Sequence, residues 1–499
     1  MPGPLHRRKA VEACQADADH ADHRLKRSLG VFSLTAMGIG AVIGAGIFSS
    51  PGTAAAGGGS HVAAGPALVL SYILVAVACG FAALCYAEMA SMVPVAGSAY
   101  TYAYVTLGEF LAWIIGWDLI LEYAVGNVAV AVSWADYFKT LLAGLGLHLP
   151  AWLSTTLDHA RHTPGLLASA PHVLGIPIVL NVPAGAVVAL LTVLLVLGIH
   201  ESARVNTAMV ILKLFMVVGF VGVGAFYIRP ENWTPFAPNG LHGILSGASL
   251  IFFAYIGFDA VSTTAEEAQN PQRDIPRAMI ATLSICTVLY AAVTLVLTGM
   301  VSWRELGVGD PLAHALESSG LQALAGVLSF GAVVAMTAVL LVFQLGQPRI
   351  FMVMARDGLL PPWAARVHPR FRTPYVTTIL TGIFVGIPAM FVDINEAIEF
   401  TNIGTLFAFV LVSVGVIVLR RTDPGRPRPF RCPGVPALPM LSVICCGVLM
   451  AYLPFITWMR FVGWQAAGIA LYFLYGRRHS RLAVATQGAD GTWTPTTSR

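Results

Sequence analysis

Apolar runs of roughly 20 residues recur along this 499-residue chain, separated by short polar, charged or Pro/Gly-rich breaks. That length is what an α-helix needs to cross a bilayer. The pattern predicts about twelve spans, near 31–56, 66–92, 106–135, 182–199, 205–228, 243–265, 277–301, 321–345, 375–392, 397–419, 437–456 and 460–476. The last two are joined by almost nothing, around Thr457 to Arg460. Two runs are interrupted in mid-course: the first by GIGAVIGAGIF (Gly38–Phe48), the sixth by FFAYIGFD (Phe252–Asp259). Glycine lets the backbone leave the helix. The N–H and C=O groups so released are tolerated in hydrocarbon only where they line a protected cavity. Interrupted spans in corresponding places of two halves point to a substrate site of the kind transporters use.

Composition supports an all-α integral membrane fold. The chain is 57% hydrophobic and 11% charged, against about 25% charged in soluble domains, and its mean hydropathy is +0.74. Most of the surface therefore faces lipid. The net charge of +4 is modest and implies no nucleic-acid partner. None of the seven cysteines (Cys14, Cys79, Cys85, Cys286, Cys432, Cys445 and Cys446) falls in a segment placed outside, so no disulfide framework is expected. No metal-ligand spacing is present, and neither metal nor cofactor is expected. His148, His159, His162 and His172 lie in an outside loop near 138–181 and read as solvent-exposed.

Placement of charge orients the chain. With the N-terminus inside, roughly 23 of the 29 basic residues fall in inner segments, among them Arg24, Lys26, Arg27, Arg204, Arg273, Arg349, Arg356, Arg420 and Arg421. The outer segments hold Lys139, Arg161, Arg229, Arg304 and Arg460. An odd number of spans would destroy this bias, so both termini are expected in the cytoplasm. A signal peptide is a poorer reading of the N-terminus, because the polar region and the first apolar run are both too long.

Direction turns the breaks into chemistry. The first span runs outward, so the half-helix after its break begins near Gly44 and Gly46 and presents unpaired N–H groups that suit a carboxylate. The sixth span runs inward, so the half before its break ends near Phe252 and Phe253. Its carbonyls, with that of Ala254, suit an ammonium. An opening with amides on one side and carbonyls on the other fits the head of an α-amino acid. Close packing through small residues is the alternative for the first break. A dinucleotide loop would need a preceding strand, and none is present.

Lys213 is the one basic residue deep in a span, about 13 Å from the inner end at 1.5 Å per residue. It reads as a proton-coupling or fixed cation, or as a tie to backbone carbonyls. Glu122 sits mid-span with Asp118 one turn before it on the same face. It could accept a cationic side chain, hold water, take up a proton, or bond across helices. Glu88 reads as a gate or interface residue, and Asp259 as a helix cap or gate. Asn270-Pro271 reads as a turn, with Asp274 and Pro276 opening the seventh helix. MARDGLLP (Met354–Pro361) reads as a turn in the basic inner loop near 346–374.

Together with YAEMASMVPVAGSAYTY (Tyr86–Tyr102), GWDLILEY (Gly116–Tyr123), FFAYIGFDAVSTTAEEAQNPQRDIP (Phe252–Pro276) and MARDGLLP, the first break resembles the amino acid–polyamine–organocation superfamily, nearest its cationic amino acid transporter branch and bacterial relatives. The resemblance covers nearly all of residues 30–476. It implies two inverted five-helix repeats, 31–228 and 242–419, then two extra transmembrane helices in 436–476, with cytoplasmic tails 1–30 and 477–499. It implies that Ile43, Gly44, Ala45 and Gly46 hold a substrate carboxylate, and that Phe253, Ala254, Tyr255 and Ile256 hold the amino group and cover the side chain. Lys213 matches a family lysine standing where sodium-driven relatives hold a sodium ion, implying proton-linked, sodium-independent transport. Glu122 matches an acidic residue near the side-chain pocket. Met336, if it lines that pocket, disfavours long cationic side chains.

The expectation is a secondary active L-amino acid transporter in a cell membrane, of the bacterial inner-membrane kind, whose substrate class stays open between small neutral and cationic. The partners expected are an L-amino acid, protons and the lipid bilayer; a small single-span accessory subunit is conceivable, though no residue argues for one. A sensor that binds an amino acid without moving it would use the same site. A polytopic enzyme would need clustered His, Cys or carboxylates in the spans, and His200 and His242 lie only at span ends. A channel would need a repeated pore lining.

Overall fold

The computed structural model describes residues 7–9, 29–58, 61–93, 98–162, 165–173, 175–198, 203–371 and 373–482. Arg24, Lys26, Arg27, Cys14, His200 and the tail beyond residue 482 lie outside them. The principal helices are α1 (Val31–Val42), α2 (Ala45–Phe48), α3 (Ser50–Ala56), α4 (Leu68–Met92), α5 (Ser98–Thr106), α6 (Glu109–Gly144), α7 (Val182–Val196), α8 (Ala203–Gly224) and α9 (Gly240–Ile251). After them come α10 (Ala260–Thr263), α11 (Pro271–Met300), α12 (Pro311–Ser318), α13 (Gln322–Arg356), α14 (Tyr375–Ala389), α15 (Ile394–Thr422), α16 (Ala437–Ala451) and α17 (Phe455–Leu471). The strand content described is one two-residue antiparallel pair, His172–Val173 with Ile176–Pro177, in the long loop before α7.

Among the described residues, seven helices are long and apolar enough to cross a membrane, and two bent helix pairs raise the number to as many as nine. The fold is that of a polytopic membrane protein. Large apolar side chains such as Phe215, Val288, Phe384 and Leu474 stay exposed on it, as expected of surfaces solvated by lipid rather than water. Among the described residues, one large apolar cluster fills the helical interior, and a small separate one around Ala160, Ala170 and Val179 lies in the long loop before α7. α13 and α15 pack along α6, and α11 packs along α4 and α1. These helices enclose the two interrupted segments.

Several ends differ from expectation. α6 runs to Gly144, beyond 135, and α13 runs to Arg356, beyond 345, so Lys139, Arg349 and Arg356 lie on helices rather than in loops. Polar residues end an apolar window without ending a helix, because the backbone keeps its own hydrogen bonds in either medium. The seventh helix starts at Pro271 with Asn270 at its N-cap, about one turn before the predicted cap at Asp274, and Pro276 lies inside it. Proline at the first helical position costs no hydrogen bond. The last two helices part at Tyr452–Pro454, not near Thr457–Arg460, and meet at a bend of 115°.

Candidate functional site

The first interruption falls where glycine allows it. α1 ends at Val42, Ile43 is extended, Gly44 has φ −157° and ψ −143°, and the helix resumes at Ala45. The two halves, Val31–Val42 and Ala45–Ala56, are bent by 55°. The Ile43 N–H still donates to Ile39 O at 2.9 Å, so Ile43 is the last residue of the inner half rather than a free donor. The amides of Gly44, Ala45 and Gly46 open the outer half and lack an intrahelical carbonyl by position.

In the second interruption, α9 passes into a tight turn at Phe252–Tyr255, and Ile256 is extended. Gly257 has φ +113°, a conformation that side chains other than glycine's resist. A Cβ there would also lie 3.1 Å from the Ala41 carbonyl carbon. Carbonyls predicted to face the opening are engaged: Phe253 O accepts the Ile256 N–H at 3.2 Å, and Ala254 O accepts the Tyr290 hydroxyl at 2.9 Å. Each oxygen keeps a second lone pair.

The interruptions touch. A Cβ built on Gly46 would collide with the backbone of Ala254, so glycine is the residue that lets the two segments meet. Between them lies a small cavity lined by Ala41, Val42, Gly44, Ala45 and Gly46, by Phe253 and Ile256, and by Val130, Val339 and Phe343 from α6 and α13. Among the described residues, no ionisable side chain is in that lining.

Three buried tyrosines fasten the assembly. The Tyr290 hydroxyl lies 3.1 Å from Val42 O as well as 2.9 Å from Ala254 O, and so spans one carbonyl from each interruption. The Tyr72 hydroxyl donates to Gly46 O at 3.1 Å, a carbonyl that the Ser50 hydroxyl reaches at 2.6 Å. The Tyr255 hydroxyl donates to Tyr72 O at 3.0 Å. Asn402 on α15 holds Ser249 O and Leu250 O at 2.8 and 3.0 Å. Unwound backbone in a membrane needs such partners.

Of the residues expected at the site, Gly44, Ala45, Gly46, Phe253 and Ile256 line the cavity. Ile43, Ala254, Tyr255, Glu122 and Met336 do not, each for a local reason. Ile43 keeps its helical bond, Ala254 is packed against Gly46, and Tyr255 turns its hydroxyl to α4. Met336 accepts from the Ser133 hydroxyl at 3.0 Å, three residues from Val339. Glu122 is buried two turns from Val130, about 12 Å along α6. Asp118 beside it accepts from Gln465 on α17.

Lys213, 1% exposed, donates from Nζ to Gly40 O at 2.6 Å, which ties α8 to the inner half of the broken helix. Asp259 stands at the N-cap of α10, yet its side chain makes no capping bond and its Oδ1 is buried without a hydrogen-bond partner among the described residues. Glu88 forms a two-pronged pair with Arg420 at 2.9 and 2.7 Å and accepts the Cys432 N–H at 2.7 Å. It joins α4 to the end of α15. Sequence reasoning missed Val130, Val339, Phe343, Tyr72 and Tyr290. The tyrosines had a readable signal, since a hydroxyl in mid-span must find a partner. The apolar three had none.

Comparison with known proteins places this geometry. The amino acid permease family matches residues 29–474. The chain is 47% identical over 483 residues to the branched-chain amino acid permease BcaP of Bacillus subtilis, covering 97% of this chain and 100% of that protein. It is 46% identical over 478 residues to the methylthioribose transporter of the same organism, covering 96% and 99%. It is also 38% identical over 426 residues to the vacuolar cationic amino acid transporter 4 of Arabidopsis thaliana, covering 84% and 68%.

Proposed function

This chain belongs to the amino acid permease family, and from that premise we propose that it is a secondary active transporter that moves neutral, apolar L-amino acids by alternating access. It is a multi-pass membrane permease and not an enzyme. The observation that carries the reading is the meeting of the two interruptions, with amides of Gly44, Ala45 and Gly46 on one side of the cavity and Phe253 and Ile256 on the other. Amides at the start of the outer half-helix suit the carboxylate, and carbonyls of the second break suit the ammonium.

The side-chain preference follows from Val130, Val339 and Phe343. A cationic side chain among them would lose its hydration with no carboxylate in the lining to replace it. Similarity to the branched-chain permease supports the same preference. Lys213, held against Gly40 O, is the proposed proton-coupling cation: a buried ammonium can release its proton when the α1 carbonyl moves away. Glu122 and Asp259 are proposed on the inner route from the cavity.

The proposed architecture counts the broken first helix, the seven long helices, the shorter apolar α7 and α14, and α16 and α17 as separate spans, which makes twelve. Residues 31–228 and 242–419 form the inverted repeats and 436–476 the extra pair. The arginine bias places both tails in the cytoplasm and the membrane is proposed as a cell membrane. Purified protein in liposomes, screened with labelled leucine, valine, alanine, arginine and methylthioribose with and without an inward proton gradient, tests the proposal. Gradient-driven accumulation of the apolar amino acids is expected. Accumulation of arginine or methylthioribose alone would refute it.

A further inference from the structure

One buried charged contact stands apart from the site. His61 follows the end of α3 by five residues, and its Nε2 lies 2.7 Å from Glu399 Oε1 on α15. The other carboxylate oxygen, Oε2, accepts the hydroxyl of Thr457 on α17 at 2.6 Å. The side chains of His61 and Glu399 are 3% and 5% exposed, and Thr457 is fully buried. His61 Nδ1 has no hydrogen-bond partner among the described residues, so the pairing with the carboxylate assigns the proton to Nε2. Three elements distant in sequence thus converge on one carboxylate.

The contact lies just beyond a hinge. Because the helix is interrupted at Gly44, the outer half is joined to α1 through two non-helical residues that can absorb a rotation. On the way out it is fastened to α6: the Tyr137 hydroxyl donates to Phe48 O at 2.6 Å, and the hydroxyls of Ser49 and Ser133 bond to each other. Those ties are neutral. His61–Glu399 is ionisable and fastens the segment to α15 instead. A buried carboxylate is costly unless its hydrogen bonds are kept. If the contact parts toward water, however, imidazole and carboxylate are both solvated and no charge is stranded. That reversibility suits a moving contact better than a permanent pin.

We propose that His61, Glu399 and Thr457 form a latch on the outer face that holds the outer half of the first helix closed and parts when the cavity opens outward. The inference rests on the reading of the two breaks as the substrate site and on the orientation given by the arginine bias. His61 and Glu399 are positioning residues in it; neither lies in the cavity lining.

The test is the sidedness of affinity. In liposomes of known orientation, half-saturating leucine concentrations are measured from the outer and the inner face for wild type, Glu399→Gln, His61→Ala, the double variant and Thr457→Val. A latch made only in the outward-closed state lowers the outward-open population, and outward apparent affinity falls with that population. Glu399→Gln is therefore expected to lower the outer half-saturation about tenfold and raise the inner one by a similar factor. Thr457→Val, which removes only one hydroxyl, shifts both in the same directions but less. The double variant matches the stronger single one, because both residues act through one contact. Equal changes on the two faces, or no change in any variant, overturn the latch. So does a Thr457→Val protein of wild-type sidedness when Glu399→Gln fails to fold, since the contact is then a structural pin. Wild-type protein that takes up no leucine would instead sink the transport reading beneath it.

Discussion

Adding a single methyl group at Gly46 should cripple transport while leaving a folded protein. A Cβ there would lie 2.8 Å from both the backbone N and the Cβ of Ala254, and nearer still to its Cα. Ordinary contact between such atoms is about 3.5–4.0 Å, so the two interrupted segments must separate by roughly 1 Å. Overpacking of this kind costs about 1–3 kcal/mol, which a large helical bundle can absorb. Function cannot absorb it as easily, because a 1 Å misplacement of positioning groups costs on the order of 100-fold. Gly44→Ala provides the contrast: its Cβ would lie 3.0 Å from a Val339 side-chain methyl that can yield, and its effect should stay below about tenfold. The assay is kcat/KM for leucine uptake in liposomes, with thermal unfolding of the same preparations. Wild-type kcat/KM in Gly46→Ala, or a heavier loss in Gly44→Ala, would refute the claim that the segments meet at Gly46.

Three further substitutions probe other parts of the account. Lys213→Ala removes the donor to Gly40 O, and uptake should lose its response to an inward proton gradient; an unchanged response would reject the coupling role. Phe343→Ala enlarges the apolar lining, so leucine affinity should fall while phenylalanine becomes a substrate, as competition assays would show. Glu88→Gln removes the carboxylate that Arg420 grips with two bonds and that lies 3.3 Å from Arg428; because Arg420 is partly exposed, the cost should be about 1–3 kcal/mol, and the unfolding temperature should drop by a few degrees with little effect on substrate affinity.

What could be read from the sequence was set by length and by glycine. Apolar runs long enough to span declare themselves, and Gly44 and Gly257 mark places where a helix can come apart. Helix ends were harder. Gly144 and Arg356 lie beyond the apolar windows because a helix continues into polar surroundings with its hydrogen bonds intact. The cavity walls were harder again. α6 and α13 bury apolar residues against neighbouring helices as well as toward the cavity, and polar ones such as Asp118, Asn127, Gln344 and Gln347 among them, so no periodicity separates Val130, Val339 or Phe343 from packing residues. On α13 the same mixture hides the register: Met336 lies three residues short of Val339 and accepts from Ser133. Contacts such as His61–Glu399 join residues 338 positions apart and leave no local trace.

The two breaks are held to grip opposite ends of one zwitterion, and competition binding measures this directly. Leucine is set against 3-methylbutylamine, which lacks the carboxylate, and 4-methylpentanoate, which lacks the ammonium. Loss of either end should weaken binding at least about 100-fold, the scale expected when a site's buried polar groups are left unpaired. Either analogue binding as tightly as leucine would contradict the account.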